Sequence, residues 1–267
     1  MTNEFERATA FDEALRHAVA ERLVESSVGT AFFADSLPRV WALNTLRVER
    51  RSASFEEIVA EANRLQGGAG LDHRRVLIMD ESAGRKLEEA FVAQEWRTDA
   101  FVFMVWRRDS TRALDTTSVE EVDSDVIAPL RETILREWLT DVDDALVQQI
   151  HEANLRVGRA GNARHFAVVV DGVAVSATEL YSDGSTAQIE DVATDPDHRG
   201  QGHASAVVLR ALEEARATGH EFVFLVADSR DWPKELYRRL GFDPVGEQFA
   251  YRLTESSAEP RRSTGAE

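Results

Sequence analysis

A glycine-rich turn in the second half of the chain has residue types and spacing that suit phosphate binding. Residues 189–204 read Ile-Glu-Asp-Val-Ala-Thr-Asp-Pro-Asp-His-Arg-Gly-Gln-Gly-His-Ala and lead into an apolar pattern with helical spacing. A strand, a turn and a helix start in this order leave unpaired backbone N–H groups at the positive end of a helix dipole. Gly200 and Gly202 let a ligand approach the backbone, and Arg199 adds a positive charge. The turn could hold a phosphate, although a helix start that needs glycine for its own backbone accounts for it equally well.

Two motifs follow one another in a specific order along this half. Arg199, Gly202 and Ala204 fit the pattern Arg-x-x-Gly-x-Ala, and a buried-strand run, Phe-Val-Phe-Leu-Val-Ala, follows at 222–227. Next comes Leu-Tyr-Arg-Arg-Leu-Gly-Phe at 236–242. This order resembles the GNAT superfamily of N-acetyltransferases, which has an acyl-CoA loop of the form Gln/Arg-x-x-Gly-x-Gly/Ala and a Leu-Tyr-x-x-x-Gly-Phe motif. The resemblance is specific for the superfamily and says little about the acceptor.

The resemblance covers residues 119–253 and implies direct acyl transfer from acetyl-CoA, the co-substrate, to an amine, with no metal ion. In the family, backbone amides of the glycine-rich turn hold the pyrophosphate, and a strand edge pairs with pantetheine. The residues that match these two elements are Val192, Ala193, Thr194, Arg199, Gly200, Gln201, Gly202, His203 and Ala204. The sequence does not fix the acyl chain length, so a longer acyl-CoA stays open as the donor.

The family chemistry also needs a proton acceptor for the amine and an acid for the departing thiolate. A carboxylate usually accepts the proton, and we favour Glu190, with Asp191 next and Glu179 third. Adjacent strand residues point to opposite faces, so only one of Glu190 and Asp191 can face the cleft, and a bulge, common in this strand of the family, would change which one. Tyr237 matches the phenol that can protonate the thiolate. Each carboxylate could instead be a solvated strand residue, and Tyr237 a tyrosine at the edge of the core.

In the family, the first two helices of the domain and their connection form the acceptor wall. Here the connection reads Trp-Leu-Thr-Asp-Val-Asp-Asp at 138–144. Its aspartates could attract an amine, but Asp143 or Thr140 could equally cap a helix, which is the safer interpretation. The alternative to an enzyme is a non-catalytic acyl-CoA-binding or scaffold protein, and the presence of both the glycine-rich turn and the tyrosine argues against it.

The first half of the chain repeats the layout of the second. A strand, a helix and a strand follow in the same order, with Phe91 where Tyr237 stands and Trp96 where Phe242 stands. The connection at 49–54 has no glycine and no Arg-x-x-Gly pattern, so this half should not bind CoA. We interpret the first half as a degenerate copy of the same fold, and the alternative is an unrelated α/β domain.

The pattern predicts an α/β fold of two tandem GNAT-like domains, each a mixed, mostly antiparallel sheet flanked by helices. The predicted divisions are 1–108 for the degenerate domain, 109–118 for a linker, 119–253 for the acetyltransferase domain and 254–267 for a disordered tail. Periodicity in the first domain predicts helices at 4–23, 54–66 and 85–96 and strands at 29–34, 39–48, 75–79 and 100–106. Ser54 and Glu57 are spaced as a capping box that opens the second of these helices. In the second domain it predicts helices at 124–138 and 143–156 and a hairpin that turns at Asp171 and Gly172.

Composition limits the class of partner. The formal net charge of −17 argues against nucleic acid, because neutralising phosphates needs clustered Lys and Arg, and it permits a cationic small-molecule acceptor. Without cysteine, no disulfide or thiolate zinc site can form. We see no signal peptide and no apolar stretch of membrane-spanning length. We therefore expect a cytoplasmic protein, monomeric or homodimeric, that acts on small molecules.

Overall fold

The computed structural model describes residues 3–110, 115–139 and 142–254. Each half of the chain contains a parallel strand–helix–strand unit, followed by a helix and a final strand. The elements of the first half are α1 (Glu4–Val19), β1 (Arg22–Glu25), β2 (Gly29–Phe33), β3 (Thr45–Val48), α2 (Phe55–Ala62), β4 (His73–Ile78), α3 (Glu81–Ala93) and β5 (Arg97–Trp106). Those of the second half are β6 (Val119–Val122), α4 (Ser124–Trp138), α5 (Asp144–Ala160), β7 (Arg164–Val170), β8 (Val173–Ser182), β9 (Thr186–Thr194), α6 (His203–Ala217), β10 (Phe222–Asp228), α7 (Pro233–Arg239) and β11 (Phe242–Thr254).

The strands of the described residues join one eleven-stranded sheet in the order β1-β2-β3-β4-β11-β5-β10-β9-β8-β7-β6. Its parallel pairs are β3–β4 and β9–β10, which α2 and α6 connect. The final strand of each half pairs with the other half: β11 lies against β4, and β5 lies against β10. These two strands also pair with each other at the centre of the sheet. The two halves therefore share one sheet and exchange their final strands.

Helices cover both faces of the sheet. On one face, α1 packs Phe11 and Leu15 against Phe222 and Phe224 of β10, and α5 joins the same cluster. Helix α4 lies on this side too, over β7, β8 and β9. On the opposite face, α2 and α3 cover the strands of the first half, and α6 and α7 cover those of the second. We call these two sides the α1 face and the α6 face.

Two local predictions are confirmed. Ser54 caps α2 in a capping box, because its side chain accepts from the Glu57 N–H and the Glu57 carboxylate accepts from the Ser54 N–H. The β7–β8 hairpin turns at Asp171 and Gly172, whose φ angles are +51° and +81°. Two consecutive positive φ values are typical of a two-residue type I′ turn.

The first helix is shorter than predicted. It ends at Val19, Ala20 is extended, and the next residues form β1, which pairs with β2. The apolar stripe continues to Leu23, but that side chain is 45% exposed at the sheet edge. Periodicity alone could not distinguish a longer helix from a helix followed by an edge strand.

The predicted strand at 39–48 is wrong in its first part. Only β3 is a strand, and a 3-10 turn at Trp41–Leu43 precedes it. The physical reason is Asn44, whose side chain is fully buried. Its Oδ1 accepts from Ala34 N at 3.0 Å, and its Nδ2 donates to two carbonyl groups of the same loop. These bonds satisfy the loop backbone without a neighbouring strand.

Some predicted features fall outside the described residues. They are residues 111–114 of the linker, Thr140 and the tail from 255 onward. The domain boundaries stay predictions. Within the described ranges, no helix combines the length and the apolar character that crossing a membrane requires.

Candidate active site

Strands β9 and β10 separate toward their C-terminal ends and open a slot in the sheet. Their pairing stops at Ile189 and Leu225. Beyond this point β9 continues with β8 as its partner, and β10 continues with β5, so their facing edges have no strand partner among the described residues. Val192, Ala193 and Thr194 lie on the β9 edge. Such an edge can pair with an extended ligand through backbone N–H and C=O groups.

The glycine-rich turn follows β9 and leads into α6. Gly202 is the N-cap of α6 with a φ of +86°, and Gly200 has a φ of +75°. A Cβ at either glycine would meet no atom within 4 Å, so the backbone of the turn is open to a ligand. No side chain caps the helix, and exposed Gln201 and half-buried His203 and Ala204 complete the turn and start the helix. The first N–H groups of α6 can therefore donate hydrogen bonds to a bound anion.

Arg199 is already paired. Its Nη1 and Nη2 lie 2.8 and 2.5 Å from the two carboxylate oxygens of Glu137 in α4. This bidentate contact connects the turn to α4 on the other side of β9. A bound phosphate would rely on the backbone N–H groups or would compete with Glu137 for the guanidinium.

A bulge in β9 positions the two adjacent acidic residues. Asp191 and Val192 together stand opposite Thr178 of β8, so β9 has one extra residue at this point. Asp191 takes a left-handed conformation with a φ of +53°. As a result, Asp191 contacts α4 and Glu190 interacts with α1, so both carboxylates lie on the α1 face. The bulge that the resemblance implied is present.

Glu190 lies in an acidic and poorly hydrated environment. Its Oε2 accepts a hydrogen bond from Gln188 Nε2 at 2.7 Å. Burial, reinforced by the negative charges of Asp12 in α1 and of Asp191, raises the pKa of Glu190 to about 8. A carboxyl group with this pKa exchanges its proton near neutral pH, as a general base must.

The other two predicted proton acceptors are held by Arg131 of α4. Arg131 Nε lies 2.5 Å from Asp191 Oδ2, and its Nη2 contacts Glu179. The Glu179 side chain is 2% exposed and lies 2.9 Å from His165 Nε2. Burial would raise the pKa of Glu179, but the hydrogen bond with His165 and the charge of Arg131 outweigh it, so the pKa is lowered. Asp191 and Glu179 are therefore ion-pair partners of Arg131, although burial still raises the pKa of Asp191. Among the described residues, Glu190 differs from both in forming no ion pair.

Tyr237 lies on the α6 face, opposite Glu190. It belongs to α7, is 7% exposed and packs in the core beside α6. Burial, together with the negative charge of Glu190, raises the pKa of Tyr237, so the phenol keeps its proton. The charge of Glu190 therefore acts on a phenol that lies on the other face of the sheet.

The family comparison covers the residues of this site. Residues 127–242 match the family model described as Acetyltransferase (GNAT) family, and this segment contains the slot, the glycine-rich turn and the tyrosine. Residues 127–242 therefore form a domain of the GNAT family. Among curated protein sequences, none matches the chain significantly.

Solved structures extend the GNAT fold over both halves. A functionally unknown conserved protein from Staphylococcus epidermidis ATCC 12228 has a TM-score of 0.63 and 14% identity, over 89% of this chain and 95% of that one. A GCN5-related N-acetyltransferase from Kribbella flavida has a TM-score of 0.57 and 18% identity, over 99% and 98%. A tandem GNAT protein from the clavulanic acid biosynthesis pathway has a TM-score of 0.52 and 13% identity, over 80% and 76%. At these identities the likeness shows the fold, which is the predicted tandem of two GNAT-like halves.

The predicted acceptor wall of the GNAT domain contains a helix cap. Asp143 is the N-cap of α5 and accepts a hydrogen bond from Leu146 N at 2.8 Å. Its two oxygens also lie 2.6 and 2.8 Å from Arg39 Nη1 in the first half. Capping, the safer interpretation, is confirmed for this aspartate.

Sequence reasoning missed the part of the GNAT site that α1 supplies. Asp12 and Arg16 form a pair four residues apart, with Arg16 Nε 2.7 Å from Asp12 Oδ2. On a sequence, such a pair is typical of a solvated helix face. In the fold, both charges reach Glu190. Asp12 adds to the effect of burial, which raises the pKa of Glu190, and Glu190 adds to the effect of Asp12, which raises the pKa of Arg16. No local signal predicts this contact between the two halves.

Proposed function

We propose that the GNAT domain transfers the acetyl group of acetyl-CoA directly to the amine of a small-molecule acceptor. The slot between β9 and β10 is the observation that supports this best. It joins an unpaired strand edge and an open turn backbone to a protonated phenol on the α6 face, while Glu190 lies on the α1 face. The donor would thus enter from one side of the sheet and the acceptor from the other.

The donor fits the elements on the α6 side. Val192, Ala193 and Thr194 would pair with the amide groups of pantetheine, and the N–H groups at the start of α6 would hold the pyrophosphate. Both interactions use backbone groups, which explains why the turn needs open glycines more than charged side chains. Acetyl-CoA, when bound, supplies the thioester carbonyl that the amine attacks.

The two titrating residues would divide the proton transfers. Glu190 takes the proton of the amine as nitrogen bonds to the carbonyl carbon of the thioester. The carbon–sulfur bond then breaks, its electron pair leaves with sulfur, and Tyr237 donates a proton to that thiolate. Because the two groups lie on opposite faces of the sheet, each would return to its starting protonation state by exchanging a proton with solvent on its own side.

We also propose that the first half has no donor site. Its parallel pair does not open, because Met79 N donates to Val48 O directly after β4. At the place of the catalytic tyrosine stands Phe91, which stacks on Tyr251 with ring centroids 4.0 Å apart. This half would therefore contribute structure and the wall formed by α1.

We expect Gly202→Glu to abolish acetyl-CoA binding, because it places a negative charge where the pyrophosphate should lie. The matched control is Gly184→Glu, since Gly184 in the β8–β9 turn also has a positive φ, +88°, and open space around its Cβ position. Isothermal titration of both variants with acetyl-CoA measures the difference. Unchanged affinity in Gly202→Glu would mean that the turn has another purpose.

Hydrogen exchange and thiol release complete this test. Acetyl-CoA should protect the amides of β9 and of the start of α6 and leave the connection at 49–54 unprotected. Release of free thiol from acetyl-CoA with a panel of amines distinguishes an enzyme from a protein that only binds acyl-CoA. Binding without transfer to any amine would favour the non-catalytic alternative, and tighter binding of a longer acyl-CoA would change the donor.

Tyr237→Phe is expected to lower kcat by about 10- to 100-fold, the low end for a general acid, because a CoA thiolate is a fair leaving group. Affinity for acetyl-CoA should stay unchanged, since only a transition-state interaction is removed. The control is Tyr251→Phe, which removes another buried phenol, one that donates to Gly84 O at 2.6 Å. That variant should lose stability and keep kcat. Equal kcat in Tyr237→Phe and the wild type would remove the phenol from the mechanism.

A further inference from the structure

Three arginines converge on the α1 face beside the site. They are Arg16 of α1, Arg75 of β4 and Arg252 of β11. Arg75 and Arg252 stand directly opposite each other in the β4–β11 register. They are only 7% and 4% exposed. We call these three residues the arginine cluster.

The cluster has fewer negative charges than positive ones. Arg16 pairs with Asp12, whereas Arg75 donates from Nη1 to the Thr45 hydroxyl at 2.8 Å and forms no ion pair within the described part of the chain. Arg252 Nε lies 3.9 Å from Asp99 Oδ2, and its Nη1 is buried without a hydrogen-bond partner. A buried arginine with unsatisfied donors costs stability.

The guanidinium groups of the cluster are held in place and repel one another. The guanidinium of Arg252 lies over the Trp41 ring, 4.0 Å from its centroid, so its plane is fixed. Burial, followed by repulsion from Arg16, lowers the pKa of Arg75 to about 10. A bound anion would reduce the repulsion between the arginines and occupy their unsatisfied donors, since a carboxylate or phosphate offers two or more oxygens to such a donor set.

A cleft leads to the cluster. It lies between α1 and strands β2 to β4, and its enclosed part has a volume of about 20 Å³, enough for about one water molecule. Asp12, Arg16 and Thr45 form part of its wall. Thr45 accepts the hydrogen bond of Arg75, and Asp12 and Arg16 are the residues of α1 whose charges reach Glu190. The charges of Asp12 and Arg16 therefore act on both Arg75 and Glu190, which places this part of α1 close to both groups.

We propose that the arginine cluster binds an anionic group, a carboxylate or phosphate, of the same acceptor whose amine lies at Glu190. The proposal rests on the proposed acetyl transfer and narrows its substrate to an amine that carries an oxyanion at its far end. The amine end is the cationic group that the acidic composition permits. The first half would then supply substrate recognition, and the second half the chemistry.

Direct anion binding tests the cluster without any assay of activity. Inorganic phosphate and succinate are titrated separately during thermal unfolding of the full chain, with saturating CoA present so that phosphate cannot bind at the α6 turn. Either anion should raise the midpoint of wild-type unfolding in a concentration-dependent way. Arg75→Met and Arg252→Met should lose this response, and Arg51→Met, whose side chain is 83% exposed, should keep it. Equal stabilisation of all four proteins would overturn the proposal.

Kinetics with paired acceptors show which anion belongs to the substrate. Each candidate amine is assayed in three forms, which carry a carboxylate, a phosphate or an uncharged amide at the far end. Arg75→Lys, which keeps the charge and loses the planar donor, should raise KM for the anionic form by about 10- to 100-fold, as expected for a lost charged hydrogen bond. Its kcat and its affinity for acetyl-CoA should stay near those of the wild type. Equal kcat/KM for charged and amide forms in the wild type would refute the anionic acceptor, whereas no transfer to any amine would refute the proposed function itself.

Discussion

Glu190→Gln is expected to lower kcat by about 10²- to 10³-fold and to remove the acidic limb of the pH–rate profile. In the wild type this limb should have a midpoint near pH 8, because the carboxyl with a pKa of about 8 must lose its proton before it can act as a base. The glutamine keeps the shape and the hydrogen bond with Gln188 and cannot accept the proton. Initial rates across the pH range, with a confirmed acceptor, measure the effect.

Controls separate this role from a general loss of charge. Glu221→Gln changes an exposed carboxylate just before β10 and should leave both the rate and the limb unaltered. Asp191→Asn should lower the limb's midpoint, since Asp191 is one of the charges that raise the pKa of Glu190. A limb that persists in Glu190→Gln and vanishes in Asp191→Asn would assign the base to Asp191.

The same substitution should make the protein more stable above neutral pH. The pKa of Glu190 is raised in the folded state from its ordinary value of 4.5 to about 8, so the folded protein holds a proton that the unfolded chain releases in this window. Stability is therefore lost as pH rises from 4.5 to about 8, and Glu190→Gln avoids a loss on the order of a few kcal/mol. Thermal unfolding at pH about 9 should show a higher midpoint for the variant, and the gain should vanish near pH 4.

The second half expressed alone, as residues 115–267, is expected to be insoluble or unfolded. Without the first half, β10 loses its partner β5, and β11 loses both β4 and β5. The exposed strand edges and the uncovered Phe222 and Phe224 would then favour aggregation. Expression yield, circular dichroism and acetyl-CoA binding of the fragment measure this.

The control keeps every strand and breaks only the connection. A protease site placed between residues 110 and 115 should give two pieces that stay together on a sizing column and bind acetyl-CoA, because the strand exchange holds them. A soluble fragment 115–267 with full activity would contradict the structural role of the first half. Two cleaved pieces that separate would contradict the exchange itself.

Patterns confined to a few neighbouring residues predicted most helices and strands. They failed where contacts between residues far apart in the sequence determine the structure. The capping box at Ser54 and the Asp171–Gly172 turn are signals confined to a few residues, so the sequence contains them completely. The loop before β3 depends on one buried side chain, Asn44, and its three hydrogen bonds to a segment ten residues away or less. The strand exchange depends on pairing across the whole chain, which periodicity does not encode.

The same distinction between local and distant signals applies to the residues of the candidate site. The glycine-rich turn and Tyr237 belong to motifs with fixed spacing, and the structure brings them to one end of the slot. The sequence favoured Glu190 only narrowly over Asp191. Their environments differ through the bulge and through the ion pair of Asp191 with Arg131, which joins two elements sixty residues apart. Asp12 and Arg75 lie on the other half of the chain, and their sequence context is that of a solvated helix and an ordinary strand.

The position of β11 also sets the order in which the protein can be completed during synthesis. It leaves the ribosome after the other ten described strands, yet it lies at the centre of the sheet, with Tyr251 opposite Val76 and Thr98. Until β11 has been synthesised, one edge of β4 has no strand partner, and part of the core of the first half stays exposed to solvent. Such high contact order slows folding and lengthens the time in which chaperones are needed. A premature stop before residue 242 would therefore damage the first half, whose own sequence is intact, as much as the second.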